Sequence, residues 1–194
     1  MKGWMVGAGF AAVVLLVLLF VGGSYVSTKN ALVQKNEDVD NAYSQVNIEQ
    51  QRRLDLIPNL VASVKGYVSE ETTVLTNIAN ARAGVMAAGS DRAASIKANS
   101  QLDVAVSPLL RLQEAYPNLK SNEQFTRLND ELAGTENRIA VQRGRYNRAL
   151  TDYNVYLGQF PNSVWAGMAG YHRRDEYFKG NPENSTAPKV DFGK

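Results

Sequence analysis

The chain has 194 residues, with 21 Lys and Arg against 19 Asp and Glu, giving a formal net charge of +2. This near balance argues against a nucleic-acid-binding module, which needs a basic face or stripe. Cysteine is absent and His172 is the single histidine, which excludes thiol nucleophiles, disulfides and metal sites built from Cys or several His. We therefore expect no catalytic residues, no metal, no cofactor and no nucleic acid.

An apolar run opens the chain, at residues 4–21 (WMVGAGFAAVVLLVLLFV). Crossing about 30 Å of hydrocarbon takes about 20 apolar residues, and this run with the following GGSYV supplies them over residues 4–26. Trp4 and Tyr25 fall where interfacial aromatic residues belong. A cleaved signal peptide is the alternative, but the run is long for one and lacks a small-residue cleavage site. The sequence predicts a retained transmembrane anchor at residues 1–27 that contacts the lipid bilayer.

The residues around this run leave its orientation and its self-association open. Lys2 stands on one side and Lys29 and Lys35 on the other, so the positive-inside comparison is close to a tie. Small residues recur at every fourth position on one face: Gly3, Gly7 and Ala11. Such a row would allow two copies to pair in lipid, so a homo-oligomer is one expectation.

Beyond residue 28, apolar residues recur at spacings of three and four, and no segment alternates with period two. Two long series, over residues 32–67 and 125–160, would each form a helix about 55 Å long. Shorter helices fit between them at residues 72–88 and from Ser90 or Asp91 to about Tyr116. The helical spacing throughout predicts an all-α fold. Short connections imply that neighbouring helices run antiparallel. A free coiled coil fits less well because the apolar rows are broader than a coiled-coil seam.

The predicted organisation has three parts. The anchor occupies residues 1–27, an elongated antiparallel four-helix bundle follows at residues 28–178, and a flexible polar tail occupies residues 179–194. Before the tail, we expect an apolar stretch to pack on the end of the bundle through Val164, Trp165 and Met168.

Two prolines interrupt the helical pattern. Pro58 lies inside the first series, whose seam positions keep a spacing of seven through it: Val39, Val46, Arg53, Leu60 and Tyr67. This unbroken phase favours one helix with a kink at Pro58. The alternative makes Asp55 an N-cap and places Pro58 in a first turn. Pro108 is a second predicted kink.

Helix ends carry their own signals. Gly89 is suited to closing the second helix, and Ser90 or Asp91 to capping the third. Pro117 disfavours helix at Tyr116. The segment SNEQ at residues 121–124 has the pattern of a capping box that opens the last long helix.

Polar residues interrupt the apolar series of both long helices near their middles. Gln50 and Arg53 hold seam positions in the first, and Thr135 and Gln142 in the last, with Glu136 and Arg143 beside the same face. One interpretation is a buried polar layer that sets helix register, including an Arg53–Glu136 ion pair. The other is a polar pocket or relay that binds a ligand or lipid.

Three long segments resemble the LemA family of bacterial membrane proteins. They are RRLDLIPNLVASVKGYVSEE (residues 52–71), EAYPNLKSNEQFTRLNDELAGTENRIAVQRGRYN (114–147) and YNVYLGQFPNSVWAGMAGY (153–171), and NEDVDNAYSQV (36–46) fits the family's N-x-V-x-x-A pattern. The resemblance implies one N-terminal transmembrane helix and an antiparallel four-helix bundle, without an established enzymatic activity. Pro108 departs from the unbroken helix expected there.

The resemblance also points to particular residues and partners. The family's signature positions correspond here to Arg52, Arg53, Asp55, Asn59, Lys65, Glu136, Asn137 and Arg138. These would form the polar core layer or a partner surface. Family association implies the bacterial inner membrane, single-pass, with envelope proteases or TPM-domain proteins as partners. We therefore expect a non-enzymatic scaffold or adaptor, with a ligand- or lipid-binding helical module as the alternative.

Overall fold

The computed structural model describes residues 2–65, 72–116, 119 and 121–180. Within these residues the fold is all-α, with five helices and no strand, as the sequence predicts. The helices are α1 (Lys2–Val64), α2 (Thr72–Ala88), α3 (Arg92–Ala115), α4 (Glu123–Gly158) and α5 (Asn162–Met168). The predicted flexible tail lies outside the described residues from position 181 onward.

The predicted anchor and the first long helix form one element. α1 has 63 residues, and the predicted boundary between residues 27 and 28 lies inside it. Its N-terminal part is long and apolar enough to cross a membrane, and the side chains of that stretch are exposed rather than packed inside the protein. α1 is therefore a candidate transmembrane helix that continues into the rest of the fold.

The chain divides into two compact units. The N-terminal unit comprises Met1–Ala42 and Tyr146–Asp175, and the central unit comprises Tyr43–Arg145 and Glu176–Lys194. Both units contain part of α1 and part of α4, because the division between the units falls within these two helices.

The central unit has an apolar core to which four helices contribute. Burying one such aliphatic or aromatic side chain is worth about 1.5–3 kcal/mol, so this shared core holds α1, α2, α3 and α4 together. The expected four-helix packing is found here. The core residues are Leu54, Ile57, Leu60, Val64, Ile78, Leu102, Val106, Leu109, Leu119, Phe125 and Leu132.

In the N-terminal unit, α1 runs antiparallel to the C-terminal part of the chain. Thr28 donates a hydrogen bond to Asn162 at 3.1 Å, whereas Lys35 Nζ lies 5.4 Å from the centre of the Tyr156 ring. Going from Thr28 to Lys35 along α1 therefore corresponds to going from Asn162 back to Tyr156, which is the antiparallel order. The buried apolar residues of this unit include Leu32 and Val39 of α1 and Leu150 and Tyr153 of α4.

Pro58 lies within α1 without ending it, which confirms the prediction of one continuous helix. Asp55 is not an N-cap, so that alternative is wrong: its carboxylate accepts a hydrogen bond from Gln51 Nε2 at 2.9 Å along the helix surface. Pro58 has no amide hydrogen for the carbonyl of Leu54, and Arg82 Nε of α2 donates to that oxygen at 3.3 Å.

Pro108 likewise lies inside α3. The kinks themselves stay predictions.

The helix ends follow the sequence signals with one exception. Gly89 has φ +55 after α2, and Asp91 Oδ1 accepts from the amide of Ala94 at 3.0 Å, as expected of a C-terminal glycine and an N-cap. The capping box predicted for residues 121–124 is wrong. Asn122 caps α4 instead, because its Oδ1 accepts from the amides of Gln124 and Phe125 at 3.0 and 3.2 Å.

The packing predicted for the segment after α4 is right for one residue of three. Trp165 is half-buried and contacts α1, but Val164 and Met168 are 50% and 72% exposed. The reason is helical geometry: Val164 and Met168 share one face of α5, while Ala166, the residue that is buried, lies on the opposite face.

Candidate functional site

A buried arginine on α1 is the centre of the site. Arg53 is 0% exposed, because its seam position turns the side chain into the central unit. Its Nη1 donates to Asp103 and to Glu136 Oε1, the latter at 3.1 Å, and its Nη2 donates to Asn99 Oδ1 at 2.7 Å. Three helices are thus joined through one guanidinium, and the Arg53–Glu136 pair expected from the sequence is present.

Asp103 on α3 is shared by two arginines. Arg143 of α4 donates from Nη1 to Oδ2 at 2.6 Å and from Nη2 to Oδ1 at 3.2 Å, while Arg53 also donates to Oδ1. Burial alone would raise the pKa of Asp103, but the hydrogen bonds and positive charges of Arg143 and Arg53 outweigh it. The pKa of Asp103 therefore lies below its usual value, and the carboxyl is ionised at neutral pH.

We call Arg53, Asn99, Asp103, Glu136 and Arg143 the polar layer. Its two cations and two anions balance, so the layer carries no net charge. Removing one partner from a buried ion pair costs about 3–5 kcal/mol, because a charge is left uncompensated. The Nε atoms of both arginines are buried without a hydrogen-bond partner among the described residues, a second cost that the fold tolerates.

Aromatic side chains pack beside the polar layer. The guanidinium of Arg143 lies 5.0 Å from the centre of the Phe178 ring, which is 7% exposed and stacks on Tyr43 at 6.5 Å. Arg92 covers Tyr43 at 4.3 Å. Phe178, from the segment that follows α5, thus covers the Arg143 guanidinium on one side.

Two other predicted residues form ion pairs between α1 and α4. Arg52 pairs with Glu131 at 2.8 Å, with both side chains about half exposed. Arg138 pairs with Glu49 at 3.0 Å and also donates to the hydroxyl of Thr135 at 2.8 Å. These pairs lie outside the polar layer, and exposed ion pairs contribute little to stability.

The remaining predicted residues are not brought together with Arg53. Asp55, Asn59, Lys65 and Asn137 are all exposed. The structure therefore assigns only Arg53 and Glu136, of the eight signature residues, to a common buried cluster. Among the seam residues named from the sequence, Gln50 and Thr135 are buried and Gln142 is half-buried.

Two members of the polar layer were missed by the sequence analysis. Asn99 and Asp103 both come from α3, where only apolar residues were singled out. A signal was available, because Asn99 fills a gap in an apolar row that continues at three- and four-residue spacing: Ile96, Asn99, Leu102, Val106 and Leu109. A polar residue in such a row marks a buried polar contact in the same way as Arg53 does on α1.

An open groove of about 1120 Å³ reaches the polar layer from outside. Its wall includes Asp103, Glu136 and Arg143 of the polar layer. Basic side chains outside the layer also line it, and the neutral layer does not balance their positive charge. The groove is lined in addition by Lys97, Ser100, Gln101, Val104, Ser107, Pro108, Arg111, Ala140, Lys179 and Gly180. Its chemistry suits hydrogen bonding and anion attraction.

Among the described residues, no group of three or more His, Asp or Glu is placed to hold a metal ion. The carboxylates of the polar layer are already engaged by arginines. What the arrangement can do chemically is bind helices to one another and present positive charge at the groove.

The comparisons with known proteins agree with the fold and the sequence motifs. Residues 42–192 match the model of the LemA family. Protein LemA of Metamycoplasma hominis is 26% identical over 136 residues, which cover 70% of this chain and 62% of that relative. Magnetosome protein MamQ 2 of Paramagnetospirillum magneticum is 24% identical over 198 residues, which cover 89% of this chain and 72% of that relative. This chain belongs to the LemA family.

Proposed function

We propose that the protein is a non-enzymatic scaffold or adaptor, anchored by a single pass in the bacterial inner membrane, that acts through protein–protein contacts at the cell envelope. The observation that carries the proposal is the continuity of α1. One helix, α1, contains both an exposed apolar stretch and the buried Arg53, so the same helix supplies the anchor and part of the helical core. A helical core that shares a helix with a membrane anchor is kept at the membrane, which suits a scaffold.

The polar layer supports the same function. Its charged groups face one another and balance, as expected of groups that fix helix register rather than carry out a reaction. An acid–base or nucleophilic site instead needs a reactive group aimed at open space. Asp103, a partly exposed carboxylate that lines the groove, is bound by two guanidiniums and is a poor base.

Exposed valines on the helix surfaces offer places for a protein partner. Val104 of α3 is 55% exposed and Val141 of α4 is 54% exposed. Partners of the envelope-protease or TPM-domain type, or a second copy of the chain, fit the family association, and we include them in the proposal.

Site-specific photocrosslinking in native membranes tests this function. A photoreactive amino acid would replace Val104 or Val141 in the full chain, and Val106, which is 1% exposed, would serve as the buried control. A scaffold gives a discrete crosslinked product from one exposed position and none from Val106. Equal, diffuse crosslinking from all three positions, together with a monomer in detergent, would overturn the proposal.

A second candidate function is the binding of an anionic ligand or lipid headgroup in the groove. The observation behind it is that Lys97, Arg111 and Lys179 line the groove while the polar layer beside them is neutral. The test is the thermal unfolding of the full chain in a neutral detergent, with added inorganic phosphate or phosphatidylglycerol. Ligand binding raises the unfolding temperature, and Lys97→Gln reduces the shift. No shift with either probe would eliminate this candidate.

A further inference from the structure

α5 lies beside the end of the apolar part of α1. The indole Nε1 of Trp165 donates to Ser24 Oγ at 3.3 Å, and its ring packs edge-on against Tyr25 with centroids 5.9 Å apart. At the start of α5, Asn162 accepts a hydrogen bond from Thr28 at 3.1 Å. These contacts fix α5 at the level of residues 24–28 of α1.

The outward side of this segment is apolar. Phe160 is 86% exposed, Val164 is 50% exposed and Met168 is 72% exposed. Val164 and Met168 lie four residues apart and share one face of α5, and Phe160 lies in the turn that precedes this helix. Ala166, at 1% exposure, faces the protein instead. We call these three exposed apolar side chains, Phe160, Val164 and Met168, the apolar row.

The charges around the apolar row have an interfacial pattern. Residues 159–171 contain no charged side chain, although charged residues make up 21% of the chain. Exposed basic residues flank the region, with Lys29 on α1 and Arg173 after α5. An uncharged apolar surface edged by Lys and Arg is the arrangement that binds the headgroup region of a bilayer.

The level of α5 matches the edge of the hydrocarbon. A span of about 20 residues that starts at Trp4 covers about 30 Å and ends near Gly23. Ser24, Tyr25 and Trp165 therefore fall in the interfacial zone, where Trp and Tyr are favoured. Trp165 contacts Ser24 and Tyr25, so α5 lies beside the end of the apolar run of α1.

We propose that the apolar row of Phe160, Val164 and Met168 inserts into the interface of the same bilayer that α1 crosses. The occupant of this surface is lipid, and the chain has two membrane contacts rather than one. The second contact restrains the tilt and rotation of α1 in the bilayer, which for a single helix depend on its flanking residues alone. This inference goes beyond the scaffold function and concerns the membrane surface alone.

The full chain contains no cysteine, so a single introduced thiol gives a specific label. Val164→Cys places a nitroxide on the apolar row. Val155→Cys is the matched control, since Val155 of α4 is also a valine of the N-terminal unit and is 53% exposed. Its neighbour Tyr156 contacts Lys35, seven residues beyond Thr28, which places the control about 10 Å farther from the hydrocarbon.

Both labelled proteins would be reconstituted into phosphatidylcholine vesicles containing phosphatidylglycerol. Collision of the nitroxide with oxygen, which concentrates in lipid, is compared with collision with a water-soluble nickel complex. We expect the label at position 164 to collide several-fold less with nickel and more with oxygen than the label at position 155. A label at Met168→Cys should behave like the one at 164. Equal nickel collision at positions 155, 164 and 168 would overturn the proposal, and an unchanged helical signal excludes misfolding.

Discussion

Arg82 of α2 donates a hydrogen bond to the main-chain oxygen of Leu54, the acceptor that Pro58 deprives of its helical amide. In an α-helix the amide of residue 58 would bond to the carbonyl of residue 54. Proline cannot supply that hydrogen, and an unsatisfied buried carbonyl costs about 1–3 kcal/mol. A side chain from the next helix replaces it, so α1 continues through a proline.

Replacing Pro58 by alanine should therefore make Arg82 dispensable. Arg82→Met in the natural chain leaves the Leu54 carbonyl unpaired and should cost about 1–2 kcal/mol. In the Pro58→Ala background the helical amide restores the bond, so the same change should cost less by about 1 kcal/mol. The measurement is a double-mutant cycle from urea unfolding of the full chain in detergent, followed by circular dichroism.

Arg111→Met, an exposed arginine on α3, is the control for side-chain removal, and its effect should not depend on Pro58. Additive effects of Pro58→Ala and Arg82→Met would show that Arg82 does not compensate for the proline.

Asp103→Asn should destabilise the central unit by about 2 kcal/mol. It removes the carboxylate shared by Arg53 and Arg143 and leaves Glu136 as the remaining carboxylate partner of the buried Arg53. The value is below the range for fully buried pairs because the Asp103 side chain is 30% exposed. The midpoint of urea unfolding at neutral pH measures it.

Glu131→Gln is the matched control, since it breaks the exposed pair with Arg52 on the adjacent position of α1. It should cost less than about 1 kcal/mol. Equal losses from the two variants would mean that the polar layer contributes no more than a surface ion pair.

The polar layer should lose stability in acid. Burial raises the pKa of Asp103, but the hydrogen bonds and charges of Arg143 and Arg53 lower it by a larger amount. The pKa of Asp103 in the folded chain is therefore below its value in the unfolded chain. Near pH 4 the unfolded chain therefore binds more protons than the folded chain. The contribution of Asp103 is complete above the unfolded pKa of about 3.9 and declines as pH falls through the folded value.

Urea unfolding at a series of pH values below neutral checks this dependence. The difference in unfolding free energy between the natural chain and Asp103→Asn should be constant above the unfolded pKa and should shrink in stronger acid. A difference that grows with acidity would contradict the lowered pKa.

Periodicity made the helices predictable, and it indicated the Arg53–Glu136 pair, whereas other contacts between distant segments were not predictable. The seven-residue spacing through Pro58 is a local property, and it indicated one helix correctly. The donor from Arg82 depends on how α2 packs against α1, which no local pattern of α1 contains. Asn99 carried the same local signal as Arg53, a polar residue within an apolar row, whereas no such signal marks Asp103, because Asp103 lies outside that row.

Helix ends show a different limit. Gly89 was predictable because its turn chemistry is local, and the sequence narrowed the cap of α3 to Ser90 or Asp91. At the start of α4, Ser121 and Asn122 are both suitable caps, and a shift of one residue decides between them. The local sequence suits both residues, so it does not distinguish Asn122 from Ser121.

Asn154 should hold the segment after α5 on the N-terminal unit. Its side chain donates to the carbonyl of Arg174 at 2.7 Å and accepts from the amide of the same residue at 3.0 Å. Asn154→Ala loses both bonds and should cost about 2 kcal/mol. Hydrogen exchange of the Arg174 amide should accelerate strongly, and mass spectrometry of the peptide around residues 171–176 measures it.

Asn137→Ala, at an exposed position of α4, serves as the control and should leave this exchange unchanged. Unaltered exchange in Asn154→Ala would mean that the other contacts of Arg174, to Asn36 and Asp40, are sufficient to hold the segment.

Membrane crossing by α1 is the foundation of the scaffold function, and thiol labelling tests it most directly. Single cysteines at Lys2 and at Ser27 bracket the apolar run, and the chain has no other thiol. We predict that a membrane-impermeant maleimide labels one of the two cysteines in spheroplasts. The other cysteine should be labelled only after the membrane is permeabilised. Labelling of both positions without permeabilisation, or of neither, would contradict a single-pass anchor.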